Sequence, residues 1–202
     1  MSADPIFKSI FGADWDRLPP VMRKHYANRP FTSDRVTVTG ALTIRLSWLY
    51  QILTPLLRFT KTLVPANGNN APTVVNFLSE PDSNAFCFNR LVQMPGAQLL
   101  FFSRMVPAGG NEMVEHTGSG IAWHCRFRFD GKRVRLEHLG YVTHRASRRI
   151  RLPLEFLLGK GNAWEEAVDE DTFLMRVEIR HALFGLLYTY RGSFTITEMR
   201  LD

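Results

Sequence analysis

The sequence contains few of the residues from which metal and redox sites are usually built. Its 202 residues include 2 cysteines, Cys87 and Cys125, and each lies in an apolar, strand-like segment without a Cys-x-x-Cys spacing. Two buried, reduced thiols are therefore expected, rather than a disulfide or a zinc site. The motifs His-x-His, His-Glu-x-x-His, the P-loop and the dinucleotide fingerprint are also missing, so we expect neither a metal nor a cofactor.

Long hydrophobic runs are missing as well. The most apolar segment, residues 48–64, is too short to cross a bilayer and contains Gln51, Arg58 and Lys61. The first residues, MSADPIFKSIFGADW, have neither the charged start nor the apolar stretch of a signal peptide. We therefore expect a cytoplasmic protein without stable membrane insertion.

The charge balance is basic, with 25 Lys and Arg against 19 Asp and Glu. Such a balance is typical of proteins that bind nucleic acids, anionic lipids or acidic small molecules. The basic residues are scattered, however, and in the most basic strand they lie on the face opposite the aromatic side chains. A sheet that binds RNA exposes its aromatic side chains for stacking, so we expect no nucleic-acid binding.

The most prominent positive signal is a change of period along the chain. From Thr73 onwards apolar and polar residues alternate in short segments separated by turns, which predicts an antiparallel meander. We predict an α+β, mainly antiparallel β fold, a barrel or half-barrel comparable to a calycin-like or helix-grip-like cup. One domain over 1–202 is expected, with a helical segment at 1–30, the barrel at 34–202 and one helix at 47–64 packed across an opening.

Two local features qualify this pattern. Gly40 interrupts the predicted strand Arg35–Ile44 and is a candidate for a β-bulge. The segment Pro65–Pro72, PANGNNAP, is rich in turn residues and predicts a flexible rim.

The segment 121–129, followed by Asp130-Gly131, predicts a hairpin. Its odd positions, from Ile121 to Phe129, are apolar or aromatic and are expected to face inward, whereas His124, Arg126 and Arg128 face outward. A tight register sets Arg126 opposite Arg135, and a looser one sets Arg126 opposite Glu137, which avoids the repulsion of like charges. Both registers give the same faces.

Charges on apolar faces are more informative. Arg90 shares the face of Phe88 and Val92, and Arg104 shares the face of Phe102, so both arginines are predicted to point into the core. A buried arginine needs a carboxylate partner or a bound anion, and Glu112 and Glu115 are the nearest candidate partners. Tyr188 and Tyr190 share one face of the last strand, and Arg191 lies on the other.

Two interpretations of these charges stay open. In the first, an internal Arg–Glu network only fixes the strand register. In the second, Arg and Tyr side chains bind a carboxylate or phosphate in a pocket that Phe88 and Phe102 help to line. Glu115 is then a candidate acid or base.

The order of several motifs resembles the bacterial family of domain of unknown function 4166. These motifs are FGADWDRLPPVMRKHYA, FCFNR, FFSRMVPAGGNEMVEHTGSG, RLPLEFLL, WEEA and MRVEIRHALFGLLYTYRGSF. The resemblance implies a small domain that occurs alone or fused to a saccharopine-dehydrogenase-like reductase domain. It also implies a set of recurrent polar positions, namely Arg90, Glu115, Glu166, His181, Tyr190 and Arg191.

Three functions follow as hypotheses. The first is a domain that binds a small amphipathic or acidic, lipid-like ligand in an apolar barrel pocket. The second is an enzyme, or the catalytic accessory of a separate NAD(P)-dependent reductase, that uses Glu115 or Glu166 as acid or base. The third is a protein-interaction module without a pocket. No oligomeric state is predicted.

Overall fold

The protein is a closed, antiparallel β-barrel with short helices at its ends. The structure, a computed structural model, describes residues 4–52, 54, 64, 66–145 and 148–202. The strands are β1 (Arg35–Leu46), β2 (Gly68–Ser79), β3 (Phe86–Met94), β4 (Ala97–Gly109), β5 (Glu112–His116), β6 (Ala122–Phe129), β7 (Arg133–Arg145), β8 (Arg148–Leu152), β9 (Lys160–Ala167), β10 (Thr172–His181) and β11 (Gly185–Arg200). The predicted mainly antiparallel barrel with N-terminal helices is confirmed.

The strands form a meander that closes on itself. Strands β1 to β7 follow one another around the wall, β9 pairs with the first part of β7, and β10 and β11 lead back to β1. Ten strands therefore close the barrel. Strand β8, which the sequence pattern did not predict, pairs with the last part of β7, from Tyr141 to Arg145.

The N-terminal helices fill one end of the barrel, here named the plugged end. They are α1 (Ile6–Phe11), a 3-10 helix (Gly12–Arg17) and α2 (Pro20–His25). The ring of Phe7 packs edge-on against Phe86 and Phe127 of the wall, at centroid distances of 4.9 and 5.1 Å. Burying an aromatic side chain of this size contributes about 2–3 kcal/mol, so these contacts hold the helices in the opening.

The opposite end, here named the far end, carries α3 (Trp48–Ile52) and α4 (Glu155–Leu158). The hydroxyl of the buried Tyr50 in α3 donates to the carbonyl of Leu158 at 2.7 Å, which ties the two helices together. The first part of the predicted helix 47–64 is thus observed, whereas its residues 55–63 lie outside the described residues.

Two local predictions are wrong. The predicted flexible rim at Pro65–Pro72 is largely strand, because residues from Gly68 onwards pair with β1 and Ala71 is buried. The bulge predicted at Gly40 instead falls between Thr37 and Val38.

The hairpin of β6 and β7 adopts the looser of the two predicted registers. Arg126 lies opposite Glu137, and the main-chain N–H of Asp130 donates to the Arg133 carbonyl at 3.1 Å. The same register sets Arg128 opposite Arg135. Each of these arginines forms an ion pair of its own, Arg128 with Glu137 and Arg135 with Asp130, and these pairs offset the repulsion.

Closure depends on a close approach between β1 and β11. A Cβ atom added to Gly40 would lie 2.0 Å from the Ser193 carbonyl oxygen, and one added to Gly192 would lie 2.4 Å from the Ala41 carbonyl oxygen. No side chain fits at these distances, so glycine at both positions permits the two strands to pair across the point where the barrel closes.

We predict that Gly40→Ala destabilises the protein by about 1–3 kcal/mol or more, because the new methyl group forces β1 and β11 apart. The measurement is the free energy of unfolding in urea. The matched control is Gly161→Ala, whose Cβ atom would meet the Trp123 ring at an ordinary 3.7 Å. The control should change stability by less than about 1 kcal/mol. Equal losses in both variants would contradict the assigned role of Gly40.

Candidate ligand site in the barrel lumen

Arg90 points into the lumen, the interior of the barrel. Phe86, Phe88 and Arg90 alternate along β3 and share a face, and Phe86 is completely buried. Residues that pair directly across neighbouring strands also share a face. Phe88 pairs with Ser103 of β4, so Ser103 is inward too.

Arg90, Ser103 and Glu115 form one hydrogen-bonded group on the inner wall. The Arg90 guanidinium donates to the Ser103 hydroxyl at 2.9 Å and to Oε1 of Glu115 at 3.2 Å. The Ser103 hydroxyl donates to the same Glu115 oxygen at 2.6 Å. A charge that leaves water needs such partners, so this trio explains how an arginine is tolerated on the inner face.

The trio does not use all of Arg90. Its other N–H groups have no hydrogen-bond partner among the residues that the structure describes, and its guanidinium carbon lies 4.3 Å from the centre of the Phe88 ring. The Arg90 side chain is 26% exposed although it points inward. Part of the Arg90 side chain is therefore not covered by protein, and a bound anion would find N–H donors there.

Tyr190 of β11 adds a neutral hydroxyl to this region. It follows Tyr188 on the inward face and pairs with Val177 and Ile44. Burial raises the pKa of Tyr190 to about 12; the Arg90 charge lowers it, and the nearby Glu115 and Glu165 carboxylates raise it further. Tyr190 consequently keeps its proton at neutral pH and can donate a hydrogen bond.

A second polar group lies where α2 meets the wall. Glu165 of β9 accepts a hydrogen bond from the Tyr26 hydroxyl, and one of its oxygens lies 3.5 Å from Nε2 of His25. Burial alone would raise the pKa of Glu165, but His25, Tyr26 and the Arg90 charge together lower it. Glu165 is therefore a buried carboxylate that helps to hold the N-terminal helices in the plugged end.

The inner wall has two levels. Towards the plugged end the inward side chains are buried, for example Phe77, Phe86, Met105, Phe173 and Phe194. At the level of Arg90, here named the upper level, several are only partly buried, namely Phe88, Leu99, Phe101, Trp123, Met175, Val177 and Tyr190, whereas Ile44, Met94 and Tyr188, nearer the far end, are buried again. The upper level thus combines aromatic and aliphatic surface with the polar groups of the trio.

The predicted inward positions of Phe102 and Arg104 are wrong. Phe102 is 53% exposed, and Arg104 donates to Glu80 at 2.8 Å on the outer surface. Both faces of β4 are apolar in its first half, LLFF, so alternation did not reveal which one is buried. Glu112 is also outward, paired with Arg126 and His124.

Glu166 also lies on the outer face, where it pairs with Lys132 and Arg133. The inward carboxylate is its neighbour Glu165, which the sequence analysis missed. The signal that could have found it is the run of small residues at alternate positions, Gly161, Ala163 and Ala167, all of which share the face of Glu165.

The remaining candidates lie apart from the trio. Nδ1 of the buried His181 accepts from the Leu183 N–H at 3.1 Å, and its Nε2–H donates to the Phe156 carbonyl at 2.6 Å, so its ring connects α4 to the β10–β11 turn. Arg191 is exposed on the outer face of β11. Tyr188 is buried at the far end, with its ring centre 6.2 Å from that of Tyr50.

Outside the trio, the described residues show neither a metal cluster nor a disulfide. Within the described part of the chain, no three His, Cys, Asp or Glu side chains are arranged to hold a metal ion. Cys87 and Cys125 are buried and unpaired, as predicted. Two concavities of about 530 and 300 Å³ lie on the outer surface, beside α1 and beside β8, and neither includes Arg90.

No helix among the described residues is long and apolar enough to cross a membrane.

Comparison with known proteins identifies one family. The model described as "Domain of unknown function (DUF4166)" matches residues 18–194, which include the trio, Tyr190 and Glu165. A comparison with curated proteins found no match.

We predict that Glu165→Gln lowers the free energy of unfolding by about 1–3 kcal/mol at neutral pH, because the bonds from Tyr26 and His25 lose their charged acceptor. Because folding lowers the pKa of Glu165, its carboxylate contributes its full share of the free energy of unfolding at every pH above the pKa of glutamate in the unfolded chain. This contribution is lost as the pH falls through the folded-state pKa. Urea unfolding at about pH 7 and about pH 3 should show the difference shrinking in acid.

The matched control is Glu166→Gln, the same change one residue along on the outer face. Its ion pairs with Lys132 and Arg133 are solvent-screened, so its loss of stability should be smaller than that of Glu165→Gln. A larger loss for Glu166→Gln than for Glu165→Gln would contradict the assigned faces of β9.

Proposed function

The chain belongs to the DUF4166 family, and from the chemistry of its barrel we propose that it binds a small amphipathic molecule with a carboxylate or phosphate head group in the lumen. The observation that carries the proposal is Arg90, an arginine that points inward, is 26% exposed and keeps N–H groups without partners among the described residues. Arginine's planar fork matches these anions better than any other side chain does.

The head group binds beside the trio. Ser103 and Glu115 hold the guanidinium on one side, which fixes its orientation before the ligand arrives. The Tyr190 hydroxyl, which is protonated at neutral pH, supplies a second donor. A preorganised pair of donors loses little conformational entropy on binding, which favours affinity for an anion over a neutral group.

The apolar part of the ligand lies along the partly buried side chains of the upper level. Leu99, Phe101, Trp123 and Val177 leave apolar surface accessible inside the barrel. Each methylene group that is transferred there from water contributes about 0.8 kcal/mol. Since the N-terminal helices occupy the plugged end, the tail points towards the far end.

We predict that Arg90→Gln weakens the binding of a fluorescent fatty acid at least about tenfold, because a charge-assisted hydrogen bond is worth about 1.5–3 kcal/mol. The measurement is a fluorescence titration of the purified protein. Tyr190→Phe removes only the hydroxyl and keeps the ring, and it should weaken binding by a smaller factor. It tests the site if Arg90→Gln folds poorly.

Arg104→Gln is the matched control, because Arg104 belongs to the neighbouring strand but faces outward to Glu80. It should leave the affinity unchanged. The proposal fails if the wild-type protein does not bind the probe, or if Arg104→Gln weakens binding as much as Arg90→Gln does.

A further inference from the structure

The far end of the barrel exposes a group of large apolar side chains, here named the apolar tip. Its members are Trp48 and Ile52 of α3, Phe156 and Leu157 of α4, and Leu183 and Phe184 of the β10–β11 turn. Leu183 is 84% exposed and Phe156 is 73% exposed, so both project almost fully into solvent. Exposed apolar side chains that cluster in this way are typical of a surface that binds another apolar surface.

The three segments that carry the tip are joined to one another. The Tyr50 hydroxyl of α3 donates to the Leu158 carbonyl of α4 at 2.7 Å. Nε2 of His181 donates to the Phe156 carbonyl at 2.6 Å, which joins α4 to the β10–β11 turn. The Ser47 N–H donates to the Leu187 carbonyl at 2.8 Å and joins that turn to α3. The apolar side chains are therefore displayed together on a connected support.

The surface beside the tip is basic. Arg148 at the start of β8 and Lys160 at the start of β9 are exposed and form no ion pair among the described residues. The carboxylates beside them are already paired, Glu155 with Arg151 and Glu178 with Arg176 and Arg180. The far end thus carries uncompensated positive charge around exposed apolar side chains.

We propose that the apolar tip docks on the surface of an anionic lipid bilayer. Aromatic and aliphatic side chains insert among the head groups and upper acyl chains, while flanking Arg and Lys side chains bind the anionic head groups. The free positive charge favours this partner over a second copy of the chain, because two copies that meet tip to tip would oppose Arg148 and Lys160 with the same charges. The inference rests on residues outside the lumen and does not require the proposed ligand.

The test is co-sedimentation of the purified protein with vesicles. Vesicles of an equal mixture of phosphatidylcholine and phosphatidylserine should bind the protein, whereas vesicles of phosphatidylcholine alone should bind it much more weakly. The double variant Arg148→Gln/Lys160→Gln should weaken binding about 25-fold, because each basic residue near an anionic surface contributes about fivefold. The double variant Phe156→Ser/Leu183→Ser should also weaken binding, and its loss should persist at high salt, where charge contributes less.

Two matched controls lie away from the tip. Leu100→Ser removes an apolar side chain that is 64% exposed on the outer wall of β4, and Arg35→Gln removes an exposed charge near the plugged end. Neither control should change vesicle binding. Arg90→Gln should also bind vesicles normally, so the docking surface and the lumen site can succeed or fail separately.

Two results would overturn the proposal. The first is that the wild-type protein does not bind the mixed vesicles, or that the tip variants bind them as well as the wild type does. The other is a concentration-dependent dimer in size-exclusion chromatography that Phe156→Ser/Leu183→Ser dissociates, since this would assign the tip to contact with a second copy.

Discussion

The closure of the sheet between β1 and β11 is the constraint on which the rest of the molecule depends. Both strands are long, and they approach so closely that Gly40 and Gly192 leave no room for a Cβ atom. Once the ring is closed, every second residue of each strand points into one enclosed volume. An inward charge can then no longer reach bulk solvent by a local movement of an edge strand, so it must be paired inside or bind a ligand.

This constraint gives the interior its two levels. The helices of the N-terminal segment fill the plugged end with aromatic side chains, and Glu165 holds them through Tyr26 and His25. Above this packed level, Arg90 meets Ser103 and Glu115. The trio supplies the inward arginine with a carboxylate, and part of its guanidinium has no partner among the residues that the structure describes. The structural network and the binding site that the sequence offered as alternatives are therefore compatible with one another.

Much of the fold was predictable, because a period of two and turn signals are local properties of the chain. The inward face of β6 followed from alternation, and the observed pairing of Arg126 with Glu137 is one of the two registers that the sequence left open. The faces of β4 and β9 did not follow. In β4, Leu99 to Phe102 are apolar on both sides of the strand, and in β9 two glutamates are adjacent. Only the pairing with neighbouring strands decides that Ser103 and Glu165 point inward, and that pairing is a long-range property.

In the proposed function, the lumen beside Arg90 holds the anionic end of an amphipathic ligand. The most direct measurement is a crystal structure of the protein with a fatty acid that carries a bromine atom at its methyl end. We expect an anomalous bromine peak inside the barrel, on the far-end side of Arg90, with the carboxylate within hydrogen-bonding distance of the guanidinium. A lumen filled by protein side chains, with bromine only at the outer surface, would contradict it.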